Sequence, residues 1–283
     1  MNAVAPVAAR PAASILVLRD GPGGLQVLVL RRSVSLAFGG GMLAFPGGRV
    51  DAADRFLPRS QAGTGCGRRA EHAFRVAALR ELFEEAGLLL ARAPGERQTV
   101  SEEMRRRLAR RYRRALHCRT VGLANVLRRT GLVLETRALV PFAHWVTPAI
   151  APRRFDTRFY LARTPRGQRA SADGVESLAM AWRRPQEILE AWEAGAESLM
   201  FPTRLNLIKL ARAGSVREAI GNARAEPILR VEPRPAADGT ATLVIPAAAG
   251  YGVREAGPRD LHPVEAQALA AHLRARASAT RGA

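Results

Sequence analysis

The chain has 283 residues, 47% of them hydrophobic, which suits a sizeable core in one large domain or one and a half. No apolar run reaches the roughly 20 residues of a membrane span. Cys66 and Cys118 are too few for a disulfide framework or a cysteine metal site, which fits a reducing cytoplasm. The formal net charge of +19 is almost wholly arginine, since Lys209 is the single lysine.

Residues 1–13 are Ala/Pro-rich with one arginine and lack the basic-then-apolar order of a secretory signal, so they read as a disordered tail. Residues 14–19 and 25–30 are β-rich runs. The turn Asp20-Gly21-Pro22-Gly23-Gly24 joins them in a hairpin. Arg31-Arg32-Ser33 follows, then a loop from 34 to 41 ending in three glycines, then Phe45-Pro46-Gly47-Gly48. Around residues 58–67, Gly63, Gly65 and Gly67 mark a flexible excursion.

The stretch from Leu79 to Leu88 carries the chemistry. Leu79, Leu82, Phe83 and Ala86 recur at i, i+3, i+4 and i+7, the apolar stripe of a helix facing a core. Glu81, Glu84 and Glu85 share another face, and Gly87 sits where a helix takes its left-handed stop. Close like-charge pairs on an exposed helix each cost roughly 0.2–0.5 kcal/mol. Arg80, i, i+4 from Glu84, relieves one of them. A bound divalent cation relieves the rest, and oxygen ligands favour Mg²⁺, with Mn²⁺ as the alternative.

Ser101 is an N-cap for a helix through about His117, crowded with arginines around an apolar stripe of Met104, Leu108, Tyr112 and Leu116. Its arginines either cover apolar surface with their stems or form a basic wall facing a phosphate-bearing ligand. A short helix over about 121–129 stops at Gly131. Residues 132–148 and 154–162 are extended. Residues 175–184 form a strand that enters a helix at Pro185, with further helices over 201–213 and 216–225. From 227 the character changes: residues 228–231 and 241–245 form a hairpin across Ala237-Asp238-Gly239, 246–261 is loop, and 263–277 is an Ala-rich helix.

The charge has three readings: a compositional preference for arginine, a field that attracts polyanionic metabolites, or a nucleic-acid surface. The last wants aromatics among the basic residues, and only 5% of the chain is aromatic, so nucleic acid is disfavoured as a partner.

Arg80-Glu81-Leu82-Phe83-Glu84-Glu85-Ala86-Gly87-Leu88 resembles the second half of the Nudix box, and Gly47-Gly48 through Asp54 resembles the first. Asp54 stands where the family pattern has Glu. Between Asp54 and Arg80 the box carries an insertion of 18 residues relative to the family spacing. The resemblance implies an α/β/α Nudix sandwich with a mixed sheet, extra helical insertions and a C-terminal appendage. In domain terms, that is a tail over 1–13, a Nudix domain over 14–226 (box 48–88, insertion near 55–70), and a hairpin and helix over 227–283 appended to the same domain. It also implies hydrolysis of a diphosphate bond in a nucleoside diphosphate-linked small molecule, with Glu84 and Glu85 as metal ligands, Glu81 as third ligand or base, and the Gly48 carbonyl as a backbone ligand. Arg80 orients the acids. Glu176, an acid beyond the box, completes the metal shell, with Glu135 as its alternative.

Upstream, Arg32-Ser33, Gly41 and Phe45-Pro46-Gly47-Gly48 keep the spacing of the coenzyme A diphosphatase branch, with Ala37 in place of its second arginine. His144-Trp145-Val146-Thr147-Pro148 and Arg154-Phe155-Asp156-Thr157 likewise resemble runs of the Nudix subgroup with an interrupted box. Arg32, Ser33, Gly47, His144 and Arg154 are accordingly the expected substrate contacts, and coenzyme A or an acyl-coenzyme A the expected substrate. The alternatives are ADP-ribose, dinucleotides or nucleoside triphosphates, or a non-catalytic Nudix-like ligand-sensing module.

Overall fold

The computed structural model describes residues 7–33, 40–62, 69–175 and 177–281. At its centre lies β1 (Arg10–Gly21), whose alternate side chains enter two different cores. Ile15 and Val17 face one side and Leu16 and Leu18 the other, as a period of two requires of a strand covered on both faces. The chain turns through Gly23 and Gly24, both at positive φ, into β2 (Gly24–Arg32), with Leu18 opposite Val27. Beyond that pair the two strands part. The fork is filled by the segment that follows: β3 (Leu43–Ala44) pairs with β2, and β4 (Gly47–Arg49) pairs with β1. Phe45 and Pro46 cross between them, and the Pro46 carbonyl accepts from the Ile15 N–H at 2.9 Å and the Ser14 hydroxyl at 3.1 Å.

Short α1 (Ala52–Arg55) leads across the insertion to α2 (Arg69–Ala86), which lies on one face of the sheet. Leu79, Leu82, Phe83 and Ala86 are all at most 2% exposed, so the apolar stripe is the buried one. Each such Leu or Phe is worth about 1.5–3 kcal/mol of burial. Gly87 closes the helix at φ +65°, and its N–H bonds the Phe83 carbonyl at 3.0 Å. Next come β5 (Ala91–Arg92), α3 (Glu102–Leu108), a π-helical turn (Ala109–Arg113), α4 (Arg114–His117) and α5 (Leu123–Thr130), which stops at left-handed Gly131. β6 (Val133–Leu134) pairs with β5.

β7 (Val140–Val146) and β8 (Phe155–Arg163) form an antiparallel pair. β8 lies parallel to β1, and β9 (Ser177–Arg183) runs along the outer edge of β2. Helices α6 (Pro185–Glu193), α7 (Phe201–Leu210) and α8 (Val216–Ala225) cover the face opposite α2. The architecture is the expected sandwich: a mixed sheet, eight-stranded among the described residues, between two helical layers.

Three boundaries differ from expectation. The strand starts at Arg10, inside the supposed tail, because β8 supplies backbone partners from Arg10 onward and β4 adds them on the other edge from Ala12 to Ser14; Ala12 and Ala13 are buried there. Within 132–148, a 3₁₀ turn (Thr136–Ala138) separates β6 from β7, with Arg75 donating to the Thr136 carbonyl and to the Leu139 carbonyl just after it. Beyond 227, β10 (Arg230–Val231) takes up the free edge of β7 and is therefore not the hairpin partner of the later strand. That partner is β11 (Arg234–Pro235), which pairs with β12 (Leu243–Val244), itself paired with β13 (Glu255–Ala256). Pro235 is tolerated because β11 is an edge strand. The final helix is α9 (Pro263–Arg281). Val231, Leu243, Ile245, Tyr251 and Leu269 all join the core shared by α6–α8.

Candidate active site

The fork between β1 and β2 brings the Gly47-Gly48 turn against α2. A Cβ on Gly47 would lie 2.6 Å from the Ala13 carbonyl oxygen and 2.7 Å from the Ser14 Cα, so the close pairing with β1 admits only glycine. A Cβ on Gly48 would lie 2.6 Å from the Glu81 carboxyl carbon, so the Glu81 side chain rests directly on the Gly48 backbone. The Gly47 N–H donates to Glu85 Oε2 at 2.9 Å. Loop and helix are therefore joined at two successive residues.

Arg80 organises the acids. Its Nε and Nη2 donate to the two carboxylate oxygens of Asp54, both at 3.0 Å. Nη1 donates to Glu81 Oε1 at 2.8 Å and to Glu84 Oε1 at 3.3 Å, and Nη2 also donates to the Arg49 carbonyl at 2.8 Å. Asp54 in turn accepts from the Asp51 N–H at 2.8 Å, which fixes α1 to the cluster. One guanidinium thus faces three carboxylates with almost no solvent: Arg80, Asp54 and Glu84 are all buried.

The electrostatics follow from that imbalance. Burial pushes the Glu81 carboxyl up to about 7 despite the neighbouring Arg80. It raises Glu84 as well, again with Arg80 opposing. Burial pulls the Arg80 guanidinium down, but Glu81, Asp54 and Glu84 outweigh it, so its pKa stands above the ordinary arginine value. The cluster carries more negative charge than its own cation balances.

A cavity of about 450 Å³ opens over this cluster. Gly47, Gly48, Arg80, Glu81 and Glu84 line it on one side, and Phe155, Thr157, Phe159, Met200 and Thr203 on the other. Arg32, Arg49, His117 and Arg119 add basic groups. Arg119 holds left-handed backbone at φ +57°, rare for a residue with a Cβ, and its guanidinium pairs with Asp51 at 3.3 Å. The end of the arginine-rich helix reaches the site, while the helix body does something else. Arg113 Nε donates to the Glu84 carbonyl at 2.7 Å and its Nη2 to the Glu85 carbonyl at 2.5 Å. Arg105 Nη1 donates to the Gly87 carbonyl at 3.1 Å. These two arginines satisfy the orphan carbonyls at the C-terminus of α2, where the helix dipole also favours cations.

Of the residues expected from sequence, the structure brings Arg32, Gly47, Gly48, Arg80, Glu81 and Glu84 to one cavity. Glu85 is buried behind it against Gly47. Ser33 is buried and off the cavity wall. His144 and Arg154, expected substrate contacts, are elsewhere. The His144 Nε2 meets Asp156 Oδ1 at 2.7 Å, across the β7–β8 pair. Arg154 donates to the carbonyls of Thr147 and Val7 and pairs with Glu232, closing the start of β8. Glu135 is ion-paired to Arg92, away from the cavity. Glu176, and the excursion bearing Gly63, Gly65 and Gly67, lie outside the described residues, as do Ala37 and Cys66. Arg49, His117 and Arg119 also line the cavity, although none of the sequence motifs marks them as site residues. Arg49 follows Gly48 directly and was the one legible of the three.

Comparison with known proteins adds a lineage. Residues 56–210, more than half of the chain, match the family model described as the NUDT19 Nudix domain. The chain is 30% identical over 264 residues to an acyl-coenzyme A diphosphatase NUDT19 of Gallus gallus, covering 74% of this chain and 70% of that protein. It is 27% identical over 187 residues to a putative nudix hydrolase 7 of Caenorhabditis elegans, covering 66% of this chain but only 56% of the relative's length. The solved structure of a NUDIX hydrolase from Alicyclobacillus acidocaldarius superposes with a TM-score of 0.65 at 27% identity, covering 77% of this chain and 97% of that one. Among the described residues no helix is long and apolar enough to cross a membrane.

Proposed function

The chain belongs to the Nudix hydrolases of the NUDT19 type, and on that footing we propose that it cleaves the diphosphate bond of coenzyme A or an acyl-coenzyme A, giving 3′,5′-ADP and (acyl-)phosphopantetheine. The observation that carries the mechanism is the surplus of buried carboxylate around Arg80 beside a glycine turn.

A divalent cation fits this cluster on its donor chemistry. The groups are carboxylate oxygens with a backbone carbonyl at hand, and the raised Glu81 and Glu84 mark charge that a cation would offset. Among the described residues no three His, Cys, Asp or Glu side chains already converge as a finished cage. The choice of Mg²⁺ rests on the oxygen chemistry of the donors, and substrate phosphates and water would complete its coordination. Glu84, which faces the cavity, would hold it with the Gly48 carbonyl, which leaves the cavity-facing Glu81 to act as base. Glu85 would join them, oriented by the Gly47 N–H as supporting hydrogen bonds orient a ligand. When bound, the ion neutralises phosphate charge and acidifies a coordinated water.

The chain's own residues supply the rest. Arg80 holds Glu81 through Oε1, and the Glu81 carboxylate, resting against the Gly48 backbone, accepts the proton of the attacking water. Water's oxygen bonds to phosphorus as the bridging P–O bond breaks, and the departing phosphate leaves as the second product. Arg32, Arg49 and Arg119 bind the phosphate oxygens of the nucleotide half.

The reading is tested with coenzyme A, an acyl-coenzyme A, ADP-ribose, NADH and a nucleoside triphosphate, each with Mg²⁺ and with Mn²⁺. Release of 3′,5′-ADP from the coenzyme A compounds at the highest kcat/KM is expected. Turnover confined to another member of the panel would overturn the substrate assignment and leave the diphosphate chemistry in place.

A further inference from the structure

A second and larger cavity, of about 690 Å³, adjoins the carboxylate site and shares Thr157, Phe159 and Met200 with it. Its wall is largely apolar: Trp145 and Ile150 on the sheet side, Phe201 and Pro202 at the start of α7, and Leu243 and Ala268 from the C-terminal segment. The wall is also cross-linked by hydrogen bonds and ring contacts. The Trp145 indole N–H donates to the Tyr251 hydroxyl at 2.8 Å, Tyr251 in turn donates to Asn206 at 3.1 Å, and the Trp145 and Phe201 rings meet edge-on at 5.8 Å. The one acid on the wall, Glu265, commits its carboxylate to the N–H groups of Phe201 and His262. Arg153 and Gln267 are solvent-exposed.

A preformed apolar cavity adjoining a polar site is where a ligand with one charged end and one apolar end is expected to lie. Resting on the diphosphatase reading above, we infer that this cavity takes the acyl chain of an acyl-coenzyme A, whose pantetheine arm passes Thr157 and Met200 while its diphosphate lies at Glu81 and Glu84. The segment beyond residue 227 thereby acquires a role, since α9 and β12 form the wall that an acyl chain contacts. ADP-ribose and nucleoside triphosphates carry no group for this cavity, so it selects the substrate class.

The test is kcat/KM of the full chain with Mg²⁺ for coenzyme A and its acetyl, hexanoyl, octanoyl and decanoyl thioesters, each below its micellar concentration. Burial of each methylene raises kcat/KM by up to roughly fourfold until the cavity fills. In Ala268→Trp and Ala271→Trp, which place an indole in the cavity, the ratio of decanoyl to unacylated coenzyme A within each protein falls toward one. Two variants are used because Ala268 is partly buried and its replacement risks folding, whereas Ala271 is exposed. A parent ratio that is flat or falls with chain length, or a rise that survives in both variants that fold, overturns the inference while leaving the hydrolase reading intact. If nothing is turned over, calorimetric affinities across the same series decide. Tightening with chain length that the variants abolish supports the cavity and sinks the hydrolase reading. Affinities independent of chain length overturn the cavity as well.

Discussion

Arg80 grips Asp54 with two parallel hydrogen bonds, Nε to Oδ1 and Nη2 to Oδ2, both at 3.0 Å, although an 18-residue insertion lies between them. Bidentate pairing of this kind fixes geometry as well as charge. It explains how an interrupted box still assembles. α1 is pinned to α2 through this pair, and the inserted residues leave from the far end of α1.

Breaking the pair should therefore cost both stability and rate. Arg80→Met leaves Asp54, Glu81 and Glu84 buried without their cation, a loss of about 3–5 kcal/mol. Arg80→Lys keeps the charge but not the fork and should fall between. Thermal and urea unfolding of the three proteins will show the order parent, Lys, Met; a Lys variant as stable as the parent would mean that charge alone suffices.

Gly47 and Gly48 should fail differently. Gly47→Ala drives a methyl into the Ala13 and Ser14 backbone and should lower the melting temperature through the β1–β4 pairing. Gly48→Ala meets the end of a side chain, Glu81, so the fold is expected to survive while kcat falls. Melting curves beside kcat separate the two. Equal stability losses with unchanged kcat in Gly48→Ala would contradict the placement of Glu81.

Arg113 is expected to matter and Arg110 not to. Arg113→Met strips the Glu84 and Glu85 carbonyls of their donors, costing about 1–3 kcal/mol for buried acceptors left unpaired. Arg110 is exposed, and Arg110→Ala should stay within about 0.5 kcal/mol. Denaturant midpoints decide between them.

How far these roles could be read from sequence depends on what sets them. Arg80, Glu81, Glu84 and Gly48 were legible because helical spacing and glycine chemistry are local. The apolar stripe of α2 and the stops at Gly87 and Gly131 were legible for the same reason. Arg113 was one arginine among many. It bonds α2 from within a π-helical turn, and no sequence period announces such a turn. Arg119 depends likewise on a single left-handed residue after α4. His144 and Arg154 were named through motif likeness, and in the fold they hold strands together, the one through Asp156 and the other through Thr147 and Glu232. Strand β1 began early because β8 and β4 complete its hydrogen bonds, a tertiary effect that an Ala/Pro-rich segment does not reveal.

Stability should depend on pH through Glu265. Burial pushes its carboxyl up to about 7, against the N–H donors from Phe201 and His262. The folded state thus holds this proton more tightly than the unfolded chain. The resulting stabilisation is fully present below the ordinary carboxylate value of about 4.5 and is lost as pH rises through about 7. The difference in denaturation free energy between parent and Glu265→Gln should change sharply between those two values and be level outside them. A difference constant across that range would show that Glu265 titrates normally.

The most direct test of the central claim is the rate of 3′,5′-ADP release from coenzyme A by the parent and by Glu84→Gln, both with saturating Mg²⁺ and both shown folded by circular dichroism. The account predicts steady release by the parent, abolished by chelation and restored by Mg²⁺, and a loss of at least a hundredfold in kcat for the variant. Undiminished turnover by Glu84→Gln, or parent activity indifferent to chelation, would contradict it.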